Sequence, residues 1–426
     1  MVRRAEHAIR DVRVVPVAFA DLPLLNTVGV HEPYALRAIV QIRTESGLTG
    51  LGETYGDEGH LRRLEAAAAL LIGCDIFATN ELRARVRASL RSDTGTGGHG
   101  MSGMVTGSST ADRVLSAFDV AALDVRGKAL GLPVSDLLGG AVRETVPFSG
   151  YLFYKWEGHP GSPADAWGPA FDPEGIVAQA RRIVDEYGFG ALKLKAGVFD
   201  PDDEIAAVLA LRDAFPEYPL RIDPNGAWSV ETSVRVADAL TGVIEYLEDP
   251  TPGIEGMAAV RARTGIPLAT NMCVVSFADV APAVRAGAID VVLSDHHFWG
   301  GLERSRLLAG IAETVGWGLS MHSNSHLGIS LAAMVHLAGA TEVLDYACDT
   351  HWPWKRADED VIVPGALSFS DGAVAVPTGP GLGVELDEDA LQRLHRQYLD
   401  SGIRERDDTG YMQRHVPDYT LASPRW

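Results

Sequence analysis

The chain has 426 residues, 46% of them hydrophobic and 22% charged, enough for two domains or for one large barrel with additions. Its formal net charge of −20 argues against nucleic acid and anionic membranes as partners, so an anionic substrate would need a local cationic or metal-centred pocket. The three cysteines, Cys74, Cys273 and Cys348, stand apart without CxxC spacing, which gives no basis for a disulfide framework or a thiolate zinc site.

The first residues carry early arginines, but their apolar stretch is broken by Asp11, Arg13 and Asp21, so no signal peptide is expected. No run of 18 apolar residues occurs, so no membrane span is expected either, and a cytoplasmic enzyme is the default. Residues 12–19, 34–47 and 48–54 read as strands joined at a Ser46-Gly47 turn. Residues 61–73, 80–90 and 111–131 read as helices, two of them stopped by Gly73 and Gly131. A small antiparallel sheet followed by helices makes residues 1–142 an α+β domain. Between the last two helices lies a stretch, 91–110, with six glycines, read as a mobile loop. It contains Gly95-x-Gly97-x-x-Gly100, but no strand precedes this GxGxxG, as a dinucleotide fold requires.

From about residue 143 the rhythm becomes strand, then helix, repeatedly. Strand candidates are 146–153, then ALKLKAG, LRIDPNG, IEYLEDP, LATNM, DVVLSDHH and LSMHSN, then 342–347, with helices over 173–188, 201–215 and 229–242 among them. Each of the six middle strands ends on polar groups: Lys193 and Lys195, Asp223, Glu248, Asn271, Asp295 and His322. Successive steps from Lys193 are 30, 25, 23, 24 and 27 residues, about one strand-plus-helix unit each. The spacing predicts a (β/α)8-type barrel over 143–365 that carries its chemistry at the C-terminal strand ends. Residues 366–426 read as short strands and a last helix that pack back on the N-terminal domain, because one short helix cannot bury its own face. The fold class is α/β, a modified barrel with an α+β cap completed by the C-terminal tail.

Lys193 and Lys195 stand two apart on one strand and so share a face. Apolar neighbours (Ala191, Leu192, Leu194, Ala196) argue against a solvated surface pair, and two adjacent ammoniums are expected to lower a lysine pKa toward the range of a base. Asp223, Glu248 and Asn271 offer three oxygen ligands from three adjacent strands, with no Cys or His, which suits a hard divalent cation. Helix capping is the rival explanation for Asp and Asn, but Glu248 caps poorly. Asp295 and His322 fall on neighbouring strands about 5 Å apart, within reach of a carboxylate–imidazole pair. His296 and His297 are read as structural, and His326, four after His322, gives no zinc site because the residues between read as a loop and HExxH is absent. A cation beside a lysine can stabilise the enediolate of a carboxylate substrate, and Lys195 on one side and His322 with Asp295 on the other can each remove its α proton.

These motifs resemble the enolase superfamily, in which a Lys or His base works beside Mg²⁺ holding an ene-diolate. The closer resemblance is to the glucarate dehydratase subgroup, carried by LLNTVGVH, LKLKAGV, DPNGAW, ATNM, DHHFW, HSNSH, DTHWPW and PGLGVELD over nearly the whole chain. The resemblance implies Mg²⁺ on Asp223, Glu248 and Asn271, and two bases, Lys195 activated by Lys193 and His322 paired with Asp295. It implies substrate contacts at Asn225, Asn26, His31, Tyr151, Ser323, His351 and Arg406. It also implies a small sugar diacid as substrate, with no nucleic-acid or membrane partner and room for a homo-oligomer. KLKAG where the subgroup commonly has KLKGG, HSNSH where it has HSNNH, and the unfamiliar stretch 154–167 are departures that bear on specificity. The expected reaction is dehydration of a C6 aldarate. A related dehydratase of another acid sugar, such as galactarate, or a catalytically silent binding relative are the alternatives; the silent one should lack a ligand or a base, and none is lacking.

Overall fold

The computed structural model describes residues 5–91 and 107–426. The GxGxxG and most of the glycine-rich stretch lie outside these residues, while 107–110, expected as loop, already form the start of a helix.

In the N-terminal part, β1 (Ile9–Ala20), β4 (Tyr34–Thr44) and β5 (Thr49–Tyr55) form an antiparallel sheet in the order β1-β4-β5. A small hairpin, β2 (Leu25–Asn26) and β3 (Gly29–Val30), lies between β1 and β4 in the chain. Helices α1 (Glu58–Leu71), α2 (Thr79–Ser89), α3 (Gly107–Leu130) and α4 (Val134–Leu137) follow. The outward face of β4 buries Ala38, Val40 and Ile42 with Leu64, Val114 and Phe118 of the helices, a core separate from that of the barrel. The contact is close because Gly50 and Gly52 face backbone oxygens of α3, where a Cβ would collide.

The barrel strands run β6 (Thr145–Phe153), β7 (Leu192–Lys195), β8 (Leu220–Asp223), β9 (Tyr246–Glu248), β10 (Leu268–Thr270), β11 (Val291–Ser294), β12 (Gly318–Met321) and β13 (Cys348–Thr350). All neighbouring pairs are parallel, and β13 returns to pair with β6. Helices α5 (Pro173–Tyr187), α6 (Pro201–Ala214), α7 (Val230–Ala239), α8 (Gly253–Arg261), α9 (Phe277–Ala286), α10 (Leu302–Val315) and α11 (Gly328–Gly339) follow the first seven strands in turn. Local chemistry sets their starts: Asp172 accepts from Gly175 N ahead of Pro173, and Ser229 accepts from Thr232 N.

Two sequence expectations need correction here. The eighth strand is Cys348–Thr350, not 342–347, and no barrel helix follows it, so the described architecture is seven βα units and a closing strand. The apolar stretch Val343-Leu344 misled the reading because it packs against the core from a turn region.

The tail also divides its contacts. Strands β14 (Phe369–Ser370) and β15 (Ala373–Ala375) join the barrel sheet, with Val374 paired antiparallel to Val146. Helix α12 (Glu388–Ser401) packs on β1, where His395 Nδ1 donates to Pro16 O and Gln397 Nε2 to Ala18 O. An unanticipated helix, α13 (Asp408–His415), meets the β2–β3 hairpin through Thr409 Oγ1 donating to Val28 O. Ser423 and Trp426 then bond the loop after β8 at Gly226 O and Ala227 O. Among the described residues no helix is long and apolar enough to cross a membrane.

Candidate active site

The strand register brings the predicted groups to one end of the barrel. Lys195 and Asp223 are direct partners across β7 and β8, and Lys195 Nζ donates to Asp223 Oδ2 at 2.7 Å. Lys193 points to the same face and is fully buried. Its Nζ lies 2.6 Å from Asp349 Oδ2, 2.5 Å from Glu248 Oε2 and 3.8 Å from Asp223 Oδ2. Leu192 and Leu194, alternating with the lysines, belong to the hydrophobic core.

Burial alone would favour loss of the Lys193 proton, but Asp349 and Glu248 outweigh it and hold the pKa well above the ordinary lysine value. The expected mutual depression of two ammoniums is therefore not met at Lys193, because the carboxylates around it were not counted. Asp349 is the residue that sequence reasoning missed. It stands 27 residues after His322 within the quoted DTHWPW motif, so the same step that found the other strand ends could have found it. Assigning the eighth strand to 342–347 hid it.

Asp223, Glu248 and Asn271 end three consecutive strands or follow them directly. Burial and the carboxylates of Asp223 and Asp349 push Glu248 well above the ordinary carboxyl value, against the opposing Lys193. Glu248 Oε1 and both amide atoms of Asn271 are buried without a partner, and Glu248 Oε2 meets only the Lys193 ammonium. Asn225, with φ 50°, donates from its backbone N and Nδ2 to Asp223 Oδ1 and keeps its own Oδ1 unbonded. Unpaired buried polar atoms cost free energy, on the order of 1–3 kcal/mol each. Asp223 and Glu248 are buried close together, and the repulsion from Asp223 that helps lift Glu248 is what a hard cation between them would relieve. The donor set is all oxygen, which fits Mg²⁺. Asp249, at φ 38°, is a structural neighbour: it accepts from Thr270 Oγ1 and from Asn271 N and so fixes the turn that aims Asn271.

Across the mouth, His322 Nδ1 donates to Asp295 Oδ2 at 3.0 Å. This leaves Nε2 as the ring nitrogen that can act on a substrate. Burial would lift the Asp295 carboxyl, but the imidazoles of His297 and His322 on either side hold it well below the usual range. His297 also bonds Asp295, which sequence alone did not suggest. Asp295, His296 and His297 bring ligand-type atoms close together, but both Asp295 oxygens and both His297 nitrogens are committed to hydrogen bonds.

A cavity of about 300 Å³ opens above these groups, and Lys195 and His322 both line it while Lys193 does not. Asn26, His31, Tyr151, His351 and Arg406 line it too. Tyr151 OH donates to Asp223 Oδ2 at 3.3 Å, and its ring meets His351 edge-on. Arg406 is held between Asp21 and Asp408, at 2.9 Å from each, and His31 lies 3.2 Å from Asp21. Burial raises Asp21, but His31 and Arg406 outweigh it and keep the carboxyl ionised. Ser323 is buried and does not line the cavity; its hydroxyl donates to Asp349 O. Asn26 Oδ1 accepts from Val28 N, which shapes the β2–β3 turn.

Comparison with known proteins gives a consistent result. Residues 175–390 match the family described as enolase C-terminal domain-like, and residues 9–139 match the mandelate racemase / muconate lactonizing enzyme N-terminal domain. A Streptomyces coelicolor protein described as a probable glucarate dehydratase is 51% identical, over 98% of this chain and 99% of that one. An enolase from Gibberella zeae, solved with magnesium, formate and sulfate, superposes with a TM-score of 0.97 at 59% identity, covering 99% of this chain and 98% of that one. An enolase from Pseudomonas fluorescens with bound magnesium, potassium and tartrate has a TM-score of 0.94 at 49% identity, covering 98% of this chain and 99% of that one.

Proposed function

The chain belongs to the enolase superfamily, as a lyase that resembles glucarate dehydratase, and from that premise we propose that it dehydrates a C6 aldarate, D-glucarate or its C5 epimer L-idarate, to 5-dehydro-4-deoxy-D-glucarate. The proton at C5 leaves, then the C4 hydroxyl departs as water, and the resulting enol takes up a proton to become the ketone. The observation that carries the reading is that two candidate bases, Lys195 and His322, line one cavity, with Lys195 bonded to Asp223 of the buried carboxylate–amide cluster.

Asp223, Glu248 and Asn271 would hold Mg²⁺. When bound, it supplies positive charge to offset the charge that grows on the substrate carboxylate as the α proton leaves. Lys193 stays protonated between Asp349 and Glu248, so its contribution is electrostatic rather than as a base. Lys195, directly above it on the strand and open to the cavity, takes the proton on one face. His322 takes it on the other through Nε2, with Asp295 fixing the ring and stabilising the imidazolium that forms. Arg406 and His31, set by Asp21, face the cavity and suit the far carboxylate of a diacid. Asn26, Asn225, Tyr151, Ser323 and His351 would complete the contacts with hydroxyls.

The test is incubation with Mg²⁺ in D₂O and a panel of aldarates. Dehydration of D-glucarate and L-idarate, with deuterium at C4 of the product and at C5 of recovered substrate, supports the reading. His322→Asn should abolish exchange in one epimer far more than in the other. Folded protein that neither exchanges nor dehydrates any aldarate would overturn the proposal.

A further inference from the structure

Behind the His322–Asp295 pair runs a buried chain of polar groups that crosses from the barrel into the N-terminal sheet. Asp295 Oδ2 accepts from His322, and Oδ1 accepts from His297 Nδ1 at 2.7 Å and from the His297 backbone N at 2.9 Å. On the far side of that ring, His297 Nε2 lies 2.9 Å from Arg37 Nη2 and 2.9 Å from Ser330 Oγ. Arg37 belongs to β4 and Glu53 to β5, and Arg37 Nε donates to Glu53 Oε1 at 2.8 Å. All of these side chains are buried. Glu53 also accepts from the backbone N of Leu327, which precedes α11, and of Ser330 in its first turn, so it ties the sheet to the segment that follows His322.

The protons in this chain are dictated by valence. A guanidinium has only donors, so His297 Nε2 facing Arg37 must carry a lone pair. His297 is then neutral, its one proton is on Nδ1, and that proton is given to Asp295. A protonated His297 would put an N–H against an arginine N–H in a buried site, and the other neutral tautomer would leave Asp295 Oδ1 facing a lone pair. Asp295 therefore keeps its charge for His322 rather than sharing it with a second imidazolium.

We propose that Arg37, held by Glu53, is a positioning residue for one half of the reaction: it locks the His297 tautomer and so keeps Asp295 oriented and ionised for His322. The N-terminal sheet then does more than close the barrel mouth, because it sets the competence of one of the two bases. The inference rests on the reading of His322 as a base.

Its first test does not use turnover. In protein labelled with 15N-histidine, the ring signals lost in His297→Gln should show a neutral ring protonated on Nδ1 at pH 7. An Nε2-protonated ring or an imidazolium there overturns the proposal. The second test is Arg37→Met, followed by deuterium exchange at C5 of each epimer. Exchange in the epimer that depends on His322 should fall by about tenfold or more, while the other changes by less than about threefold. Arg37→Lys should restore part of the loss, and the pH profile of the His322-dependent exchange should move. Arg37 also borders the cavity, so a lost substrate contact would weaken both epimers alike, and an equal fall overturns the proposal, as does no change in either. Where Arg37→Met leaves Glu53 unpaired and unfolds the protein, the Arg37→Met/Glu53→Gln double variant removes both charges and takes its place. Wild-type protein that exchanges neither epimer sinks the proposed function, and the ring signals still decide the tautomer.

Discussion

Acid sensitivity provides a direct test of how the buried histidines are held. His336, in the middle of α11, has no exposed surface and accepts at Nδ1 from Ser135 N, which anchors the short helix α4. Burial pushes its pKa down to about 4 from the ordinary 6.5. A folded value below the unfolded one means that the unfolded chain binds the proton more readily. The neutral form is therefore the stable partner of the fold. Its contribution is complete above about pH 6.5 and drains away as the pH falls toward 4. With about 1.36 kcal/mol per pKa unit, a depression of about 2.5 units is worth about 3.4 kcal/mol in full, and about 2 kcal/mol of it is lost between pH 8 and pH 5. His336→Asn keeps an acceptor near the Nδ1 position and does not titrate. It should be less stable than the parent at pH 8 because it leaves a cavity. The gap between the two should then narrow by about 2 kcal/mol at pH 5, as measured by urea unfolding at both pH values. A gap unchanged to within about 0.5 kcal/mol would refute the claim that His336 is neutral because it is buried.

Gly301 precedes α10 at φ 94°, and a Cβ there would overlap Asp119, whose carboxylate accepts from Leu302 N at the start of that helix. Gly301→Ala should therefore cost at least about 2 kcal/mol in unfolding experiments, whereas Gly190→Ala, which meets open space, should be near neutral. Glu248→Gln should weaken Mg²⁺ binding, read by titration calorimetry, by more than about 100-fold, because it removes a carboxylate from the proposed ligand set rather than a group behind it. Equal affinity in the variant would remove Glu248 from that set.

The clustering of the candidate site was legible where one polar residue stands at the end of each apolar run. Lys193, Lys195, Asp223, Glu248 and Asn271 announced themselves because strand length and helix length are nearly constant in a barrel, so equal steps along the chain become neighbouring tips in space. The eighth tip escaped because 342–347 is apolar without being a strand, and with it went Asp349 and the true electrostatics of Lys193. His297 escaped for another reason. Two residues after Asp295, it reads as structural, but the turn after β11 lets it donate to Asp295 through both ring and backbone.

The sequence by itself determined the alternation of strands and helices, the order of the polar tips and the oxygen-rich character of the central cluster. Those properties depend on spacing and residue type, which are local. Tertiary structure alone decided which charges meet. Whether Lys193 loses or keeps its proton depends on Asp349, 156 residues away, and which tautomer His297 adopts depends on Arg37, 260 residues away. Electrostatic energies in a buried site fall off over a few ångströms and follow distance in space, so separation along the chain carries no information about them.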